Sequence, residues 1–130
     1  MKNLIRAGQV SSVNPARCTA RVTFLDRDNL VSAELPVLQP CAAGNQAYLL
    51  PDVGNSVLCL MLPNDDCGGT GFILGSLYSD EKKPPTDNQD VSMIRFDDDT
   101  TISYNRKTHE LRIDCVGKIF INGTEIHLND

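Results

Sequence analysis

Apolar and polar residues alternate with a period of two along most of the chain, and this pattern predicts strands rather than helices. The clearest case is 16–24, ARCTARVTF, in which every second residue from Cys18 onward is small, aliphatic or aromatic. An apolar run at 4–13 precedes it, and the pair Asn14-Pro15 between them is a turn signal. These two segments therefore predict a β-hairpin.

Three more strands are predicted before residue 80. Segment 31–38 is expected to place Ala33, Leu35 and Val37 on one side, and 72–78 forms the last strand. Between them, 56–62 (SVLCLML) is apolar on both faces, which is typical of a strand that closes a barrel or lies under another subunit. Five short antiparallel strands predict an oligonucleotide/oligosaccharide-binding (OB) barrel over residues 1–79.

The remainder of the chain has a different character. Residues 80–90, DEKKPPTDNQD, break the periodicity, and their prolines and charges predict an extended linker. Residues 91–130 then contain very short strands separated by Asp, Asn and Gly turns, too small a unit to enclose a core. Identical chains are the simplest source of the missing apolar partner. The pattern predicts an all-β chain in a threefold arrangement, in which each short strand of the tail buries its apolar stripe against two other copies.

The predicted contacts between chains follow from these faces. One face of 56–62 fills the barrel, and the other is expected to meet a neighbouring chain or another protein. In the tail, each short strand contributes one apolar stripe toward the threefold axis. The candidate trimer-interface residues are Leu58, Leu60, Ile102, Leu111, Ile113, Ile119, Ile121, Ile126 and Leu128.

Composition limits the functions open to such a chain. The net charge of −5 and a pI near 4.9 disfavour a surface that neutralises nucleic-acid phosphates. Aromatic residues make up 5% of the chain and Trp is absent, so a stacking platform or a large aromatic pocket is not expected. A module that binds single-stranded nucleic acid or saccharides is the alternative function, because OB barrels often bind such ligands.

No catalytic or cofactor site is predicted. Neither histidine lies in a nucleophile context, and Asp97-Asp98-Asp99 lacks the spacing of a calcium loop, so it is interpreted as a turn. His127 is the one candidate metal ligand, because a trimer would contain three such imidazoles. Strand alternation nevertheless turns His127 away from the inward residues Ile126 and Leu128. The protein is therefore predicted not to be an enzyme.

The five cysteines are odd in number and have no zinc-type spacing, which predicts free thiols in a reducing compartment. Cys18 and Cys59 are expected to fill strand interiors, while a disulfide between Cys41 and Cys67 remains open. The first ten residues lack a secretory apolar region, and no segment approaches the ~20 apolar residues of a membrane span. Synthesis and residence in the cytoplasm are expected.

Several segments in the same order resemble the phage baseplate assembly protein V family, the central spike of contractile tails and phage-tail-like bacteriocins. They are ELPVLQP (34–40), YLLPDVGNSVLCLMLPN (48–64), GFILGSLYS (71–79), Pro84-Pro85 and the run 94–121. The resemblance implies an all-β homotrimer. Its OB ring docks on the tail hub, and its tail, a short intertwined triple-stranded β-helix or β-prism, points at the target cell envelope. The implied function is mechanical puncture on sheath contraction, within a virion or bacteriocin-like particle.

The chain departs from that family at two places. Longer members end in a His-x-His motif that binds iron, whereas 125–130 here reads EIHLND. A short blunt spike covered by a separate tip protein is therefore expected in place of a metal-tipped point. Some members also carry a lysozyme-like domain, for which the linker 80–90 leaves no room.

Overall fold

The computed structural model describes residues 4–62 and 70–129. Within them it contains one short 3-10 turn, Leu25–Arg27, and nine strands. The strands are β1 (Ile5–Asn14), β2 (Thr19–Phe24), β3 (Leu30–Val31), β4 (Leu35–Pro36), β5 (Ser56–Met61), β6 (Gly71–Leu77), β7 (Val91–Arg95), β8 (Thr101–Asn105) and β9 (Glu110–Asp114). All ladders between these strands are antiparallel, so the predicted all-β class is confirmed.

The chain divides into two compact units, Met1–Lys83 and Pro84–Asp130. In the first unit the strand order is β3-β2-β1-β5-β6, and β4 also pairs with β2. The predicted hairpin is present, because β1 pairs with β2 with Val10 opposite Val22. The long apolar strand and the strand after it are also present as β5 and β6, which pair with each other.

The segment just after β4 connects the two ends of the first unit's sheet. Val37 forms a parallel bridge with Ile73 of β6, and the amide of Leu38 donates a hydrogen bond to the carbonyl of Ile73 at 3.1 Å. The amide of Val37 donates to the carbonyl of Cys18 at 3.0 Å, on the β2 side. One short extended segment thus joins the β2 end of the sheet to its β6 end, which reduces the exposed strand edge.

The core of the first unit comes from alternate residues of these strands. Its members are Val10, Ala20, Val22, Phe24, Leu35, Val57, Cys59, Met61 and Ile73. Phe24 is fully buried, and the guanidinium of Arg6 lies 5.6 Å from its ring centroid, a cation–π geometry. Burial also raises the pKa of Cys59 to about 11, so this thiol stays protonated as a small apolar side chain. The prediction that Cys59 fills a strand interior is confirmed.

Two details of the sequence interpretation were wrong. Segment 31–38 is not one strand but the two-residue strands β3 and β4, and Ala33 is exposed while Ser32 is buried. The side chain of Ser32 causes this break, because its hydroxyl accepts a hydrogen bond from the Val22 amide and donates one to the Ala33 carbonyl. Cys18 lies in the turn before β2 rather than in the strand, with a φ of 54°.

The carboxylate of Glu34 connects the segment between β3 and β4 to the β1–β2 hairpin through hydrogen bonds. Glu34 accepts hydrogen bonds from the Asn14 amide at 2.7 Å and from the Thr19 hydroxyl at 2.9 Å. These two bonds, followed by the charges of Arg17 and Arg21, hold the pKa of Glu34 below its ordinary 4.5. The ionised carboxylate therefore favours the folded barrel.

We expect this contribution to disappear in acid. Because the folded pKa is lowered, the stabilisation is complete above pH 4.5 and is lost as the pH falls through the lowered value. Melting temperatures of the wild type and of Glu34→Gln should differ at pH 7 and converge toward pH 3. Glu110→Gln, which removes an exposed charge from the second unit, is the matched control. A difference that stays constant from pH 7 to pH 3 would contradict this role.

The second unit is a three-stranded antiparallel sheet in the order β7-β8-β9. Its described residues include none that is buried. Strands were also expected around Ile119/Ile121 and Ile126/Leu128, but the single chain has no strand between residues 115 and 129. No strand of the three-stranded sheet pairs with this segment.

Candidate functional surfaces

The tail sheet has one apolar face and one polar face. On the apolar face, Ile94, Ile102 and Ile113 lie opposite one another across the three strands. In the next row of the same face, Tyr104 pairs with Leu111. The other face is mostly polar: seven of the nine residues in its rows are polar or charged, and Val91 and Met93 are apolar. The rows are Met93–Ser103–Arg112, Arg95–Thr101–Asp114 and Val91–Asn105–Glu110. The sheet is therefore amphipathic, as expected of a sheet that covers something on one side.

Nothing within the described chain covers that apolar face. Ile102 is 40% exposed, Ile113 is 53% exposed and Leu111 is 68% exposed. The segment beyond β9 is equally open, since more than half of the surface of each of its large apolar side chains is in contact with solvent. These residues are Val116, Ile119, Phe120, Ile121, Ile126 and Leu128. Apolar surface on this scale in so small a unit marks an interaction site.

The turns of the tail are held by their own side chains. Between β7 and β8, Asp98 accepts a hydrogen bond from the Thr100 amide at 3.0 Å, and hydrogen bonds from Thr100 lower the pKa of Asp98. Between β8 and β9, Asn105 accepts hydrogen bonds from the amides of Lys107 and Thr108. The aspartate run 97–99 thus lies in a turn, as predicted. The sheet is specified locally even though its apolar face has no cover.

The first unit carries a second uncovered apolar surface, on the outer side of β1, β5 and β6. Leu58 and Leu60, both predicted interface residues, are half-buried there, opposite the fully buried Val57 and Cys59. Ile5 pairs with Leu60, which in turn pairs with Phe72. Ile5 is 59% exposed and Phe72 is 38% exposed, so this row is open to solvent. We call the side of β1, β5 and β6 that contains this row the outer barrel face.

The structure brings only some of the predicted residues together. Ile102, Leu111 and Ile113 share one sheet face, and Leu58 and Leu60 share another. Ile119, Ile121, Ile126 and Leu128 lie outside the strands. The candidate list omits Ile94 and Tyr104, although alternation also places them inward in the tail. It missed Ile5 and Phe72 on the outer barrel face, because alternation does not provide the pairing register.

The candidate metal ligand has a local partner. Nε2 of His127 lies 2.9 Å from Oε2 of Glu125, and the side chain is exposed. No group of three or more His, Cys, Asp or Glu side chains suited to a metal occurs among residues 4–62 and 70–129. A site built from three copies of His127 would involve other chains, so that hypothesis remains untested.

The described surface also carries exposed thiols and a depression. Cys41 and Cys115 are exposed thiols, and Cys67, the second partner of the disulfide left open, lies outside the described residues. A surface depression beside β6 is lined mainly by aliphatic and small polar residues, with Asp52 as its charged member. Its lining consists of residues 37–38, 49–52, 55, 73 and 75–76. In the described part of the chain, no helix has the length and apolarity needed to cross a membrane.

Comparison with known proteins gives one informative similarity. The chain is 29% identical over 118 residues to a protein named "Spike protein" from Escherichia phage P2. The match covers 87% of this chain and 51% of the phage protein, so the chain spans about half the length of the relative it matches. No protein-family model matches the sequence.

Proposed function

We propose that this chain is a structural tail-spike protein of a contractile phage tail or a bacteriocin-like injection machine. The similarity to a phage spike protein over 118 residues carries the proposal, because it spans both the barrel strands and the tail. In this proposal three copies form the central spike of the baseplate. Its partners are the tail hub, other baseplate proteins and a separate tip protein, and its target is a cell envelope.

The physical argument for three copies comes from the tail sheet. Its apolar face and the open segment 115–129 need a partner that is equally apolar and of matching length. Two identical chains meet both conditions, and a threefold axis allows each chain to bury its face against the others. The segment 115–129 would then find its missing strand edges on neighbouring chains, as in an intertwined β-helix.

The proposed barrel is an OB fold that positions the spike. The strand order β2-β1-β5-β6, closed through the Val37–Ile73 bridge, supports this assignment. We further propose that the protein has no catalytic activity and no resident metal, so that the spike acts mechanically on sheath contraction. A rigid trimer suits this role, because an interlocked sheet unfolds slowly and holds its shape under load.

The experiment that tests the proposal measures molar mass in solution by light scattering after gel filtration, before and after heating. We expect a mass near three chains that survives heating well above the temperature at which ordinary domains unfold. Immunogold labelling of tail particles from producing cells should then place the protein at the baseplate end. A stable monomer that buries no tail surface would contradict the proposal and would favour the binding-module alternative.

A further inference from the structure

Asn122-Gly123 is the one Asn-Gly pair in the sequence, and it lies in the open segment beyond β9. An Asn-Gly pair between apolar runs, here IFI and TEIHL, is typical of a tight hairpin turn. Residues 115–129 contain no strand, so this hairpin is not formed in the described part of the chain. The pair therefore lacks, within one copy, the structural role that its sequence predicts.

Neither residue of the pair is held in place by its surroundings. Asn122 and Gly123 are both exposed, and among the described residues neither the Asn122 side chain nor the Gly123 amide makes a hydrogen bond. A Cβ added at Gly123 would meet its nearest atom outside the adjacent residues, the carbonyl oxygen of Glu125, at 3.4 Å. This is an ordinary van der Waals contact, so packing does not require glycine here. The side chain and the backbone of the pair can therefore move against each other.

This arrangement has the chemistry of spontaneous deamidation. The backbone nitrogen of Gly123 loses its proton to solvent and attacks Cγ of Asn122, the bond from Cγ to the side-chain nitrogen breaks, and that nitrogen takes up a proton and leaves as ammonia. Water then opens the five-membered succinimide at either carbonyl and gives aspartate or isoaspartate, so water is the only co-reactant. Glycine favours the attack because it has no Cβ to obstruct the nitrogen and because its backbone is the most mobile.

Pairing with a neighbouring strand would prevent the same reaction. The attack requires the backbone of Asn122 to rotate away from the extended conformation, whereas a strand holds ψ near about +135°. A strand also binds its amide groups in hydrogen bonds to the next strand. In the proposed trimer, residues 115–129 find such strand edges on neighbouring copies. Assembly therefore removes the mobility that the reaction needs.

We propose that Asn122-Gly123 is a site of spontaneous deamidation in the unassembled chain, and that assembly into three copies protects it. The inference rests on the proposed function, because the protecting strands come from neighbouring copies. Either product adds a negative charge to a chain whose net charge is already −5, and isoaspartate also adds an atom to the backbone. Residue 122 thus records how long a chain has remained without partners.

The test follows residue 122 by peptide mass spectrometry in full-length protein kept warm in mildly alkaline buffer. It compares the wild-type three-chain species, the one-chain variant Ile102→Asp and the wild type unfolded in guanidinium chloride. We expect residue 122 of Ile102→Asp to react within about three-fold of the unfolded rate, because no strand holds it. The three-chain species should react at least about ten-fold more slowly, which requires its tail strands to be open less than about a tenth of the time.

Gly123→Ala is the matched control, because the added Cβ fits the space at this position but obstructs the attacking nitrogen. Combined with Ile102→Asp, it should slow the reaction of residue 122 at least about ten-fold. Negligible reaction of residue 122 in Ile102→Asp itself would overturn the modification site. Equal rates in the three-chain species and the unfolded chain would overturn protection by assembly while the proposed trimer stands. A one-chain mass for the wild type would overturn the trimer, and rapid reaction in that species would support the modification site alone.

Discussion

Ile102→Asp should convert the protein from three chains to one while leaving the barrel folded. Ile102 lies at the centre of the apolar row, between Ile94 and Ile113. In a trimer the substitution changes three side chains at once, and each Ile102 has 40% of its surface left to bury. At about 1.5–3 kcal/mol for a fully buried isoleucine, the lost burial is about 2–4 kcal/mol for three chains, before the added cost of placing three carboxylates in an apolar interior. Light scattering measures the outcome directly.

Ser103→Asp is the matched control for this substitution. Ser103 is the next residue of β8 and lies on the polar face, between Met93 and Arg112. A carboxylate there remains near a guanidinium and in contact with water, so the mass should stay near three chains. A mass near three chains for both Ile102→Asp and Ser103→Asp would show that the apolar face of the tail is not buried by assembly.

Separating the two units should give opposite results. Residues 1–83 contain every member of the buried core and should unfold cooperatively as a monomer. Residues 84–130 include no buried residue among those described, so at micromolar concentration they should lack stable tertiary structure. Two-dimensional amide NMR spectra distinguish these cases, with dispersed peaks from the first fragment and collapsed peaks from the second.

The informative exception is a second fragment that is folded as a monomer. Well-dispersed signals from residues 84–130 at a one-chain mass would show that the tail needs no partner, which contradicts the three-chain proposal. Dispersed signals at a three-chain mass would support it. Residues 1–83 serve as the control, because we expect them to fold whether or not the tail fragment does.

Local sequence patterns predicted most of the strands. The break between β3 and β4, which they missed, depends on a hydrogen bond to a residue distant in the sequence. The β1–β2 hairpin and the strands of the tail follow from alternation and from Asn, Asp and Gly at the turns. The break between β3 and β4 could not be foreseen, because the Ser32 hydroxyl interacts with Val22 of a different strand. The mistaken strand position of Cys18 has a local cause, since the turn runs three residues past Asn14-Pro15 and includes Cys18.

The residues that share an exposed sheet face were harder to predict from the sequence than the positions of the strands. Alternation identified Leu58 and Leu60 as a second face of β5, but the register that places Gly75 beside Leu58 depends on a bulge in the β5–β6 ladder. Alternation placed Ile94, Ile102 and Ile113 inward in the tail but did not show that they form one row across β7, β8 and β9. For residues 115–129 the sequence gives apolar positions but not their partners, and no strand is formed there in the described chain.

The side-chain hydrogen bonds in the tail turns bear on which step comes first after synthesis, hairpin formation or association between chains. Hairpins closed by Asp98 and Asn105 involve neighbouring residues, and such hairpins form in about 1–10 μs. Encounter between chains is far slower and depends on concentration. Each newly made chain would therefore expose the apolar side chains of its tail, in hairpins that form and open, until it meets other chains. Rapid overproduction should yield aggregates, and slower synthesis at lower temperature should raise the yield of usable protein.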